Sequence, residues 1–127
     1  MRLAGKTAII TGGGSGFGAG IARKFAAEGA KVLIADLNID AARAVAVEID
    51  GHALECDVSK NASVARLAYD AADQLGPVDI LVNNAGITHL PAPLEEVSED
   101  DFDRVFAVNA KSVYLTARHF VPDMKAR

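Results

Sequence analysis

The sequence lacks the features that mark secreted, membrane-embedded or nucleic-acid-binding proteins. It contains one cysteine, Cys56, which excludes an internal disulfide framework and fits a reducing compartment. Its apolar runs are too short to cross a membrane, and the N-terminal stretch MRLAGK has no apolar core of the secretory type. Its 13 lysines and arginines are outnumbered by 17 aspartates and glutamates, giving a net charge of −4 with no basic stripe. We therefore expect a cytoplasmic protein with no membrane or nucleic-acid partner.

Histidine is also scarce, and its distribution argues against a metal site. The three histidines, His52, His89 and His119, lie far apart, and none has a ligand-like spacing with Cys56. We expect no bound metal, and we expect Cys56 to be a small buried residue of a strand.

Four short apolar runs predict the strands of a parallel sheet. They occupy residues 7–11, 31–36, 52–58 and 78–84. The first, second and fourth are almost continuously apolar, which is typical of strands that are covered on both faces. The length of 127 residues fits one domain built around such a sheet.

Helical patterns separate these runs. Apolar residues recur at helical spacing after each of the first three strands, and the patterns end at glycines, namely Gly29, Gly51 and Gly76. A fourth helix is predicted to begin near Ser98, with Asp101 at the third helical position, and to run towards Pro122. The alternation of strands and helices predicts an α/β fold with right-handed crossovers and a parallel sheet.

The stretch TGGGSGFG, residues 11–18, joins the first strand to the first helix and holds five glycines in eight residues. Glycine at such a join lets phosphates approach the backbone, and the helix N-terminus attracts a pyrophosphate. The motif can be read as Gly14-x-Gly16-x-x-Ala19 or as Gly12-x-x-x-Gly16-x-Gly18, and the local sequence does not decide between the two. A flexible turn is the alternative, but the position between a strand and a helix favours a dinucleotide site.

Asp36 ends the second strand, 18 residues after Gly18. An acidic side chain there can accept hydrogen bonds from an adenosine ribose and would repel a 2′-phosphate. Leu37 follows it and Ser15 precedes Gly16, so no basic residue stands at either place. These residues favour NAD over NADP as the cofactor. The alternative is that Asp36 only caps the next helix, a role that Asn38 could fill equally well.

TGGGSGFG, Asp36, CDV (56–58), NNAG (83–86) and Asn109 together resemble the short-chain dehydrogenase/reductases, in order and over the whole chain. The resemblance selects the reading with Gly12, Gly16 and Gly18. It implies a doubly wound, Rossmann-type sheet of which this chain supplies the first four strands in the order 3-2-1-4. It also implies an oxidoreductase that moves a hydride between NAD and a small secondary alcohol or ketone.

The resemblance also assigns roles to individual residues. Asp57 is expected at the adenine amino group, Val58 at the adenine ring, and Thr11 as a bridge to NNAG, whose Asn83, Ala85 and Gly86 line the ribose side. Asn109 is the expected catalytic residue, which holds a water in a proton relay. The full predicted set of cofactor-binding residues is Gly12, Ser15, Gly16, Phe17, Gly18, Asp36, Leu37, Asp57, Val58, Asn84, Ala85 and Gly86.

The serine and the Tyr-x-x-x-Lys pair on which that family's chemistry depends are not found in this sequence. Tyr69 is followed at the fourth place by Asp73, and Tyr114 by Arg118. We therefore interpret residues 1–127 as a cofactor-binding domain that stops before the fifth strand and is inactive alone. The resemblance further implies a homo-oligomer, which is usually a tetramer in the family.

Two alternative functions remain open from the sequence. One is a dinucleotide-binding module or fragment with no catalysis of its own. The other is an S-adenosylmethionine methyltransferase, which also uses a glycine turn and an acidic residue after the second strand, although NNAG and Asn109 would have no role there.

Overall fold

The predicted strands form one parallel sheet in a computed structural model that describes residues 1–127. The strands are β1 (Thr7–Thr11), β2 (Lys31–Asp36), β3 (His52–Glu55) and β4 (Ile80–Val82). They lie side by side in the order β3-β2-β1-β4, and every pairing is parallel. This order confirms the predicted α/β fold and its Rossmann-type arrangement.

Helices cover both faces of the sheet. They are α1 (Gly16–Ala27), α2 (Ile39–Ile49), α3 (Asn61–Leu75), α4 (Glu99–Phe106) and α5 (Ser112–Ala126), with a short 3-10 helix at Leu94–Glu96. Successive residues of a strand point to opposite faces, so Ile9 packs with α3 and α5 while Ile10 packs with α1 and α2. Two apolar cores therefore form, one on each face, and the first two strands are buried between them.

The third and fourth strands are shorter than predicted. Residues 56–58 and 83–84 were expected to continue the strands. The Cys56 N–H still donates to the Asp36 carbonyl oxygen at 3.1 Å, but the N–H groups of Asp57 and Asn84 bond to side chains. The Asp57 N–H donates to Ser63 Oγ at 2.8 Å, and the Asn84 N–H donates to Thr11 Oγ1 at 3.1 Å. These side-chain hydrogen bonds lie just beyond the last paired residue of each strand. Cys56 consequently lies just after β3 rather than inside it.

The fourth predicted helix begins as expected but extends further. Ser98 caps it, since its Oγ accepts a hydrogen bond of 3.1 Å from the Asp101 N–H. The helix does not end near Pro122 but continues to Ala126, with that proline inside α5. Between α4 and α5, residues Ala107–Lys111 form a wider turn of π-helix. The extra residue in such a turn changes the direction in which the following side chains point.

The sheet is open at both edges, β3 on one side and β4 on the other. Strand β4 pairs with β1 alone, and its three residues are each only half-buried. None of the helices is both long enough and apolar enough to span a membrane.

Candidate functional site

A cavity of about 340 Å³ lies where the carboxyl ends of the strands meet. This is the edge of an open α/β sheet at which ligands bind. Ten of the twelve predicted cofactor-binding residues line the cavity. Its lining consists of Gly12, Ser15, Phe17, Ala35, Asp36, Leu37, Cys56, Asp57, Val58, Asn84, Ala85, Gly86, Ile87 and Val108.

The two predicted glycines that do not line the cavity lie beside it, in the turn and the first helix. A Cβ on Gly18 would stand 2.4 Å from both the Gly12 carbonyl oxygen and Asn84 Nδ2, so this glycine lets α1 pack against the loop after β4. Gly16 has a left-handed φ of +54°, and a Cβ placed there would meet no atom within 4 Å. Gly18 thus serves internal packing, whereas Gly16 presents bare backbone to the outside.

The first turn of α1 presents unpaired hydrogen-bond donors. The N–H groups of Ser15, Gly16, Phe17 and Gly18 have no acceptor within the chain, and the Ser15 side chain makes no capping hydrogen bond. No acidic residue stands in this turn to neutralise the positive end of the helix dipole. The turn is therefore suited to bind an anion.

Asp36 lies at the cavity wall with both carboxylate oxygens held by backbone donors. Oδ2 accepts from the Gly14 N–H and Oδ1 from the Asn38 N–H, each at 2.9 Å. Helix α2 is capped by Asn38, whose Oδ1 accepts from the Ala41 N–H at 3.1 Å. The structure therefore assigns the capping role to Asn38, and the orientation of Asp36 at the cavity needs a different explanation.

Thr11 connects the turn after β1 to the NNAG segment, as the sequence predicts. Its buried Oγ1 accepts from the backbone N–H groups of Asn84 and Ala85, both at 3.1 Å. In return, Asn84 Nδ2 donates to the carbonyl oxygens of Thr11 and Gly12 at 3.0 and 3.1 Å. These bonds hold the two loops that form one side of the cavity at a fixed separation.

The two asparagines of NNAG point in different directions. Asn83 Oδ1 accepts a hydrogen bond of 2.7 Å from Thr116 Oγ1 on α5, and Asn83 does not line the cavity. Its neighbour Asn84 does line the cavity. The expectation that Asn83 lines the ribose side stays a prediction.

The segment after β3 forms the opposite wall. Asp57 Oδ1 accepts from both the N–H and the Oγ of Ser59, at 3.0 and 2.6 Å, while its Oδ2 has no partner within the chain. Val58 and Cys56, the neighbours of Asp57 in the chain, are buried and also line the cavity. Burial raises the pKa of the Cys56 thiol, so this side chain is an uncharged apolar part of the wall.

Asn109 lies in the wide turn between α4 and α5 and does not line the cavity. Its Nδ2 donates to the Ile87 carbonyl oxygen at 2.7 Å, and its Oδ1 accepts from the Ile87 N–H at 2.8 Å. The side chain therefore uses both ends of its amide to fix the loop after β4. The water-relay role stays a prediction.

Four lining residues were not predicted from the sequence: Ala35, Cys56, Ile87 and Val108. Each is the immediate neighbour of a motif residue, since they adjoin Asp36, Asp57, Gly86 and Asn109 respectively. The signal that could have found them is this adjacency, because a turn of backbone around a ligand exposes neighbours as well as the motif residue itself.

Comparison with known proteins gives the following matches. The family model described as "short chain dehydrogenase" matches residues 6–127. The 4-formylbenzenesulfonate dehydrogenase TsaC1/TsaC2 of Comamonas testosteroni is 50% identical over 127 residues, which cover 96% of this chain and 50% of that protein.

Solved structures of dehydrogenases and reductases are also similar to this chain. A 3-ketoacyl-(acyl-carrier-protein) reductase from Brucella melitensis complexed with NADH has a TM-score of 0.95 and 48% identity, covering 98% of this chain and 52% of that one. A metagenomic short-chain oxidoreductase in complex with NADP has a TM-score of 0.91 and 37% identity, covering 99% of this chain and 59% of that one. The chain spans about half the length of the curated relatives it matches.

Proposed function

We propose a function from the premise that this chain belongs to the short-chain dehydrogenase family. The chain binds NAD as the cofactor-binding part of an oxidoreductase. That oxidoreductase transfers a hydride between the nicotinamide and a small alcohol or ketone. The methyltransferase alternative is wrong, because the family is one of dehydrogenases. The non-catalytic module remains the second candidate, since the residues for proton transfer are not among these 127.

The observation that carries the proposal is the free first turn of α1 at the cavity. Four consecutive N–H groups lack acceptors, and Gly16 presents open backbone among them. A diphosphate placed there would satisfy these donors and would lie at the positive end of the helix dipole. The residues present therefore fit the diphosphate of a dinucleotide.

The adenosine part of the dinucleotide fits two other groups of residues that line the cavity. Asp57 Oδ2, which has no partner within the chain, can accept from the adenine amino group, and the apolar Val58 can lie against the ring. Asp36 can accept from the ribose hydroxyls with the lone pairs that its two backbone contacts leave free.

The preference for NAD over NADP is a proposal of its own, because solved members of the family are complexed with NADH and with NADP. Two features of this chain support NAD. The Asp36 carboxylate stands at the cavity wall, where it would repel a 2′-phosphate, and no lysine or arginine lines the cavity to neutralise one.

The chemistry divides between the cofactor and the protein. The nicotinamide, when bound, supplies or accepts the hydride. The chain's own residues bind and orient: the turn at residues 15–18 for the diphosphate, Thr11 and Asn84 for the loop beside it, and Asn109 for Ile87 at the far wall. We propose that Asn109 acts here as a positioning residue.

The experiment that tests the proposal is calorimetric titration of the chain with NAD and NADP, for the native sequence and for Asp36→Ala. We expect NAD to bind at least roughly tenfold more tightly than NADP, and the preference to disappear in the variant, because a charged hydrogen bond and a like-charge repulsion are lost together. Asp73→Ala is the matched control, since Asp73 is an exposed acid on α3 that does not line the cavity. Equal affinity of the native chain for both dinucleotides would contradict the proposal.

A further inference from the structure

We propose that Gly14 is a specificity-determining residue that acts through Asp36: it positions the Asp36 carboxylate for the adenosine ribose and thereby sets the preference for NAD over NADP. The inference rests on the proposed function and extends it to a residue that does not itself line the cavity.

The first step is the geometry of the carboxylate. Asp36 receives one N–H from the turn before α1, through Gly14, and one from the turn before α2, through Asn38, each at 2.9 Å. One donor binds each oxygen, so the plane of the carboxylate is fixed from two sides. A carboxylate held in this way keeps its remaining lone pairs in fixed directions.

The second step is the space around Gly14. A Cβ at this position would lie 2.8 Å from Asp36 Oδ2, 3.0 Å from the Ala42 backbone nitrogen and 3.1 Å from Ala41 Cβ. The last two atoms belong to α2, which is packed on the sheet, whereas the carboxylate is the end of a flexible side chain. Movement of the Asp36 carboxylate would relieve the shortest contact, and the other two require a smaller shift of the turn or of α2.

The third step is that the backbone at Gly14 does not itself require glycine. Its φ is outside the left-handed region that is found at Gly12 and Gly16, so alanine can adopt this backbone conformation without strain. The cost of a side chain at position 14 therefore falls on the contact with Asp36 and α2.

The functional consequence follows from the role proposed for Asp36. A displaced carboxylate loses hydrogen bonds to the ribose hydroxyls and no longer stands where a 2′-phosphate would be. Both effects reduce the ratio of NAD to NADP affinity, whereas the diphosphate contacts at residues 15–18 stay the same for the two dinucleotides.

The test is a double-mutant cycle with Gly14→Ala, Asp36→Asn and the double variant, measured as calorimetric Kd values for NAD and NADP. We expect Gly14→Ala to lower the NAD-to-NADP affinity ratio roughly tenfold, and to change it by less than about twofold in the Asp36→Asn background. Gly20→Ala is the matched control, because a Cβ at this exposed glycine of α1 meets nothing within 4 Å.

The outcomes separate the inference from the function on which it rests. If the native chain prefers NAD and Asp36→Asn abolishes the preference while Gly14→Ala keeps it, the inference is overturned and the proposed function stands. An effect of Gly14→Ala that persists in the Asp36→Asn background also overturns it, because Gly14 would then act independently of the carboxylate. A native chain that binds neither dinucleotide overturns the proposed function itself.

A second measurement does not depend on whether Gly14→Ala folds. Amide hydrogen exchange in the native chain should show the Gly14 N–H protected and the Gly16 N–H unprotected, since only the former has an acceptor. Asp36→Ala should remove the Gly14 protection. A Gly14 amide that exchanges as fast as that of Gly16 in the native chain would contradict the fixed carboxylate on which the inference depends.

Discussion

Asn109 interacts with the backbone of a single residue through both ends of its side-chain amide. Replacement by leucine removes the acceptor of the Ile87 N–H and the donor to the Ile87 carbonyl. Because both bonds lie near the surface, we expect a loss of about 1 kcal/mol of unfolding free energy. We also expect weaker NAD binding, since Ile87 lines the cavity. Urea unfolding and calorimetry measure the two effects.

Asn109→Asp is a second variant that tests the same contact with Ile87. It preserves the shape and the acceptor for the Ile87 N–H but places a second oxygen against the Ile87 carbonyl oxygen, which needs a donor. We expect it to weaken NAD binding like the leucine variant. Full NAD affinity in both variants would show that the contact with Ile87 is not needed for the site.

Asp79 joins the beginning of the sheet to the end of α5. Its Oδ2 accepts from the Thr7 N–H at 2.9 Å, and its Oδ1 lies 3.5 Å from Arg127 Nη1. The Thr7 N–H, with smaller contributions from the charges of Lys6 and Arg127, lowers the pKa of Asp79 below its ordinary value. A group with a lowered pKa stabilises the fold above its unfolded pKa, and this stabilisation is lost as the pH falls through the folded value.

The expected result is a fall of the melting temperature on acidification below about pH 4, the ordinary range of an aspartate. Asp79→Asn should reduce this fall and lower the melting temperature at neutral pH, where the charged form accepts its hydrogen bonds. Asp73→Asn is the control, because Asp73 makes no hydrogen bond or ion pair in the structure. Identical acid profiles for native chain and Asp79→Asn would contradict the assignment.

At the residue scale, the sequence predicted well which segments lie at the cavity. It predicted less well which side-chain atoms of those segments face the cavity. Thr11 and Asp36 have the positions that the motifs indicate. Asn83 bonds to Thr116 on α5, whereas Asn84 lines the cavity; which of the two adjacent asparagines does so depends on the direction of the backbone after β4, which composition does not encode. The sequence also could not predict that backbone N–H groups bond to both carboxylate oxygens of Asp36, because the donors come from two different turns.

At the scale of elements, β1 and β2 were predictable to the residue because continuous apolar runs and buried strands coincide. The early ends of β3 and β4 were not, since they coincide with hydrogen bonds that Ser63 Oγ and Thr11 Oγ1 accept from the N–H groups of Asp57 and Asn84, and apolar runs do not reveal such bonds. The wide turn at Ala107–Lys111 was missed for a related reason. The spacing of apolar residues does not reveal one additional residue in a helical turn when the helical pattern continues before and after it.

The open edge of β4 makes self-association the expected behaviour of the chain at high concentration. Its three half-buried apolar residues present unpaired backbone groups along the outer side of the sheet. We expect light scattering to show species larger than a monomer, and Ile80→Lys to shift them towards the monomer, because a charged side chain on an edge strand opposes pairing. Val47→Lys is the control, since Val47 is 82% exposed on α2 and distant from this edge.

A second exposed apolar surface lies on α4, and the same light-scattering experiment distinguishes association through it from association through the β4 edge. Phe102 and Phe106 on α4 stack with ring centroids 4.8 Å apart and remain about half exposed. If Phe106→Ser dissociates the chain and Ile80→Lys does not, association uses this helix and the prediction for the β4 edge is wrong. A monomer at all concentrations in the native chain would also contradict it.

At the scale of the whole molecule, binding and catalysis are expected to separate. The cavity and the first turn of α1 form the proposed cofactor site, and neither tyrosine is placed to transfer a proton there. Tyr69 is 73% exposed on α3, and Tyr114 is 59% exposed on α5 with Arg118 Nη1 3.5 Å from its hydroxyl. Neither residue lines the cavity. An arginine cannot replace a lysine beside a catalytic tyrosine, because its planar cation does not release a proton.

The chain of 127 residues should therefore bind NADH yet oxidise it no faster than buffer does, with small ketones and aldehydes as trial substrates. General acid–base catalysis contributes roughly 10²- to 10⁴-fold in rate, and here no side chain at the cavity can supply it. The assay follows NADH absorbance, and the control is a rise in melting temperature on adding NADH, which shows that the same sample is folded and binds the cofactor. A shift in melting temperature without turnover is the expected pair of results, because the diphosphate site depends only on backbone donors that are present. Turnover well above the buffer rate would mean that a residue of this chain donates the proton, and Tyr114→Phe would then be the first variant to measure.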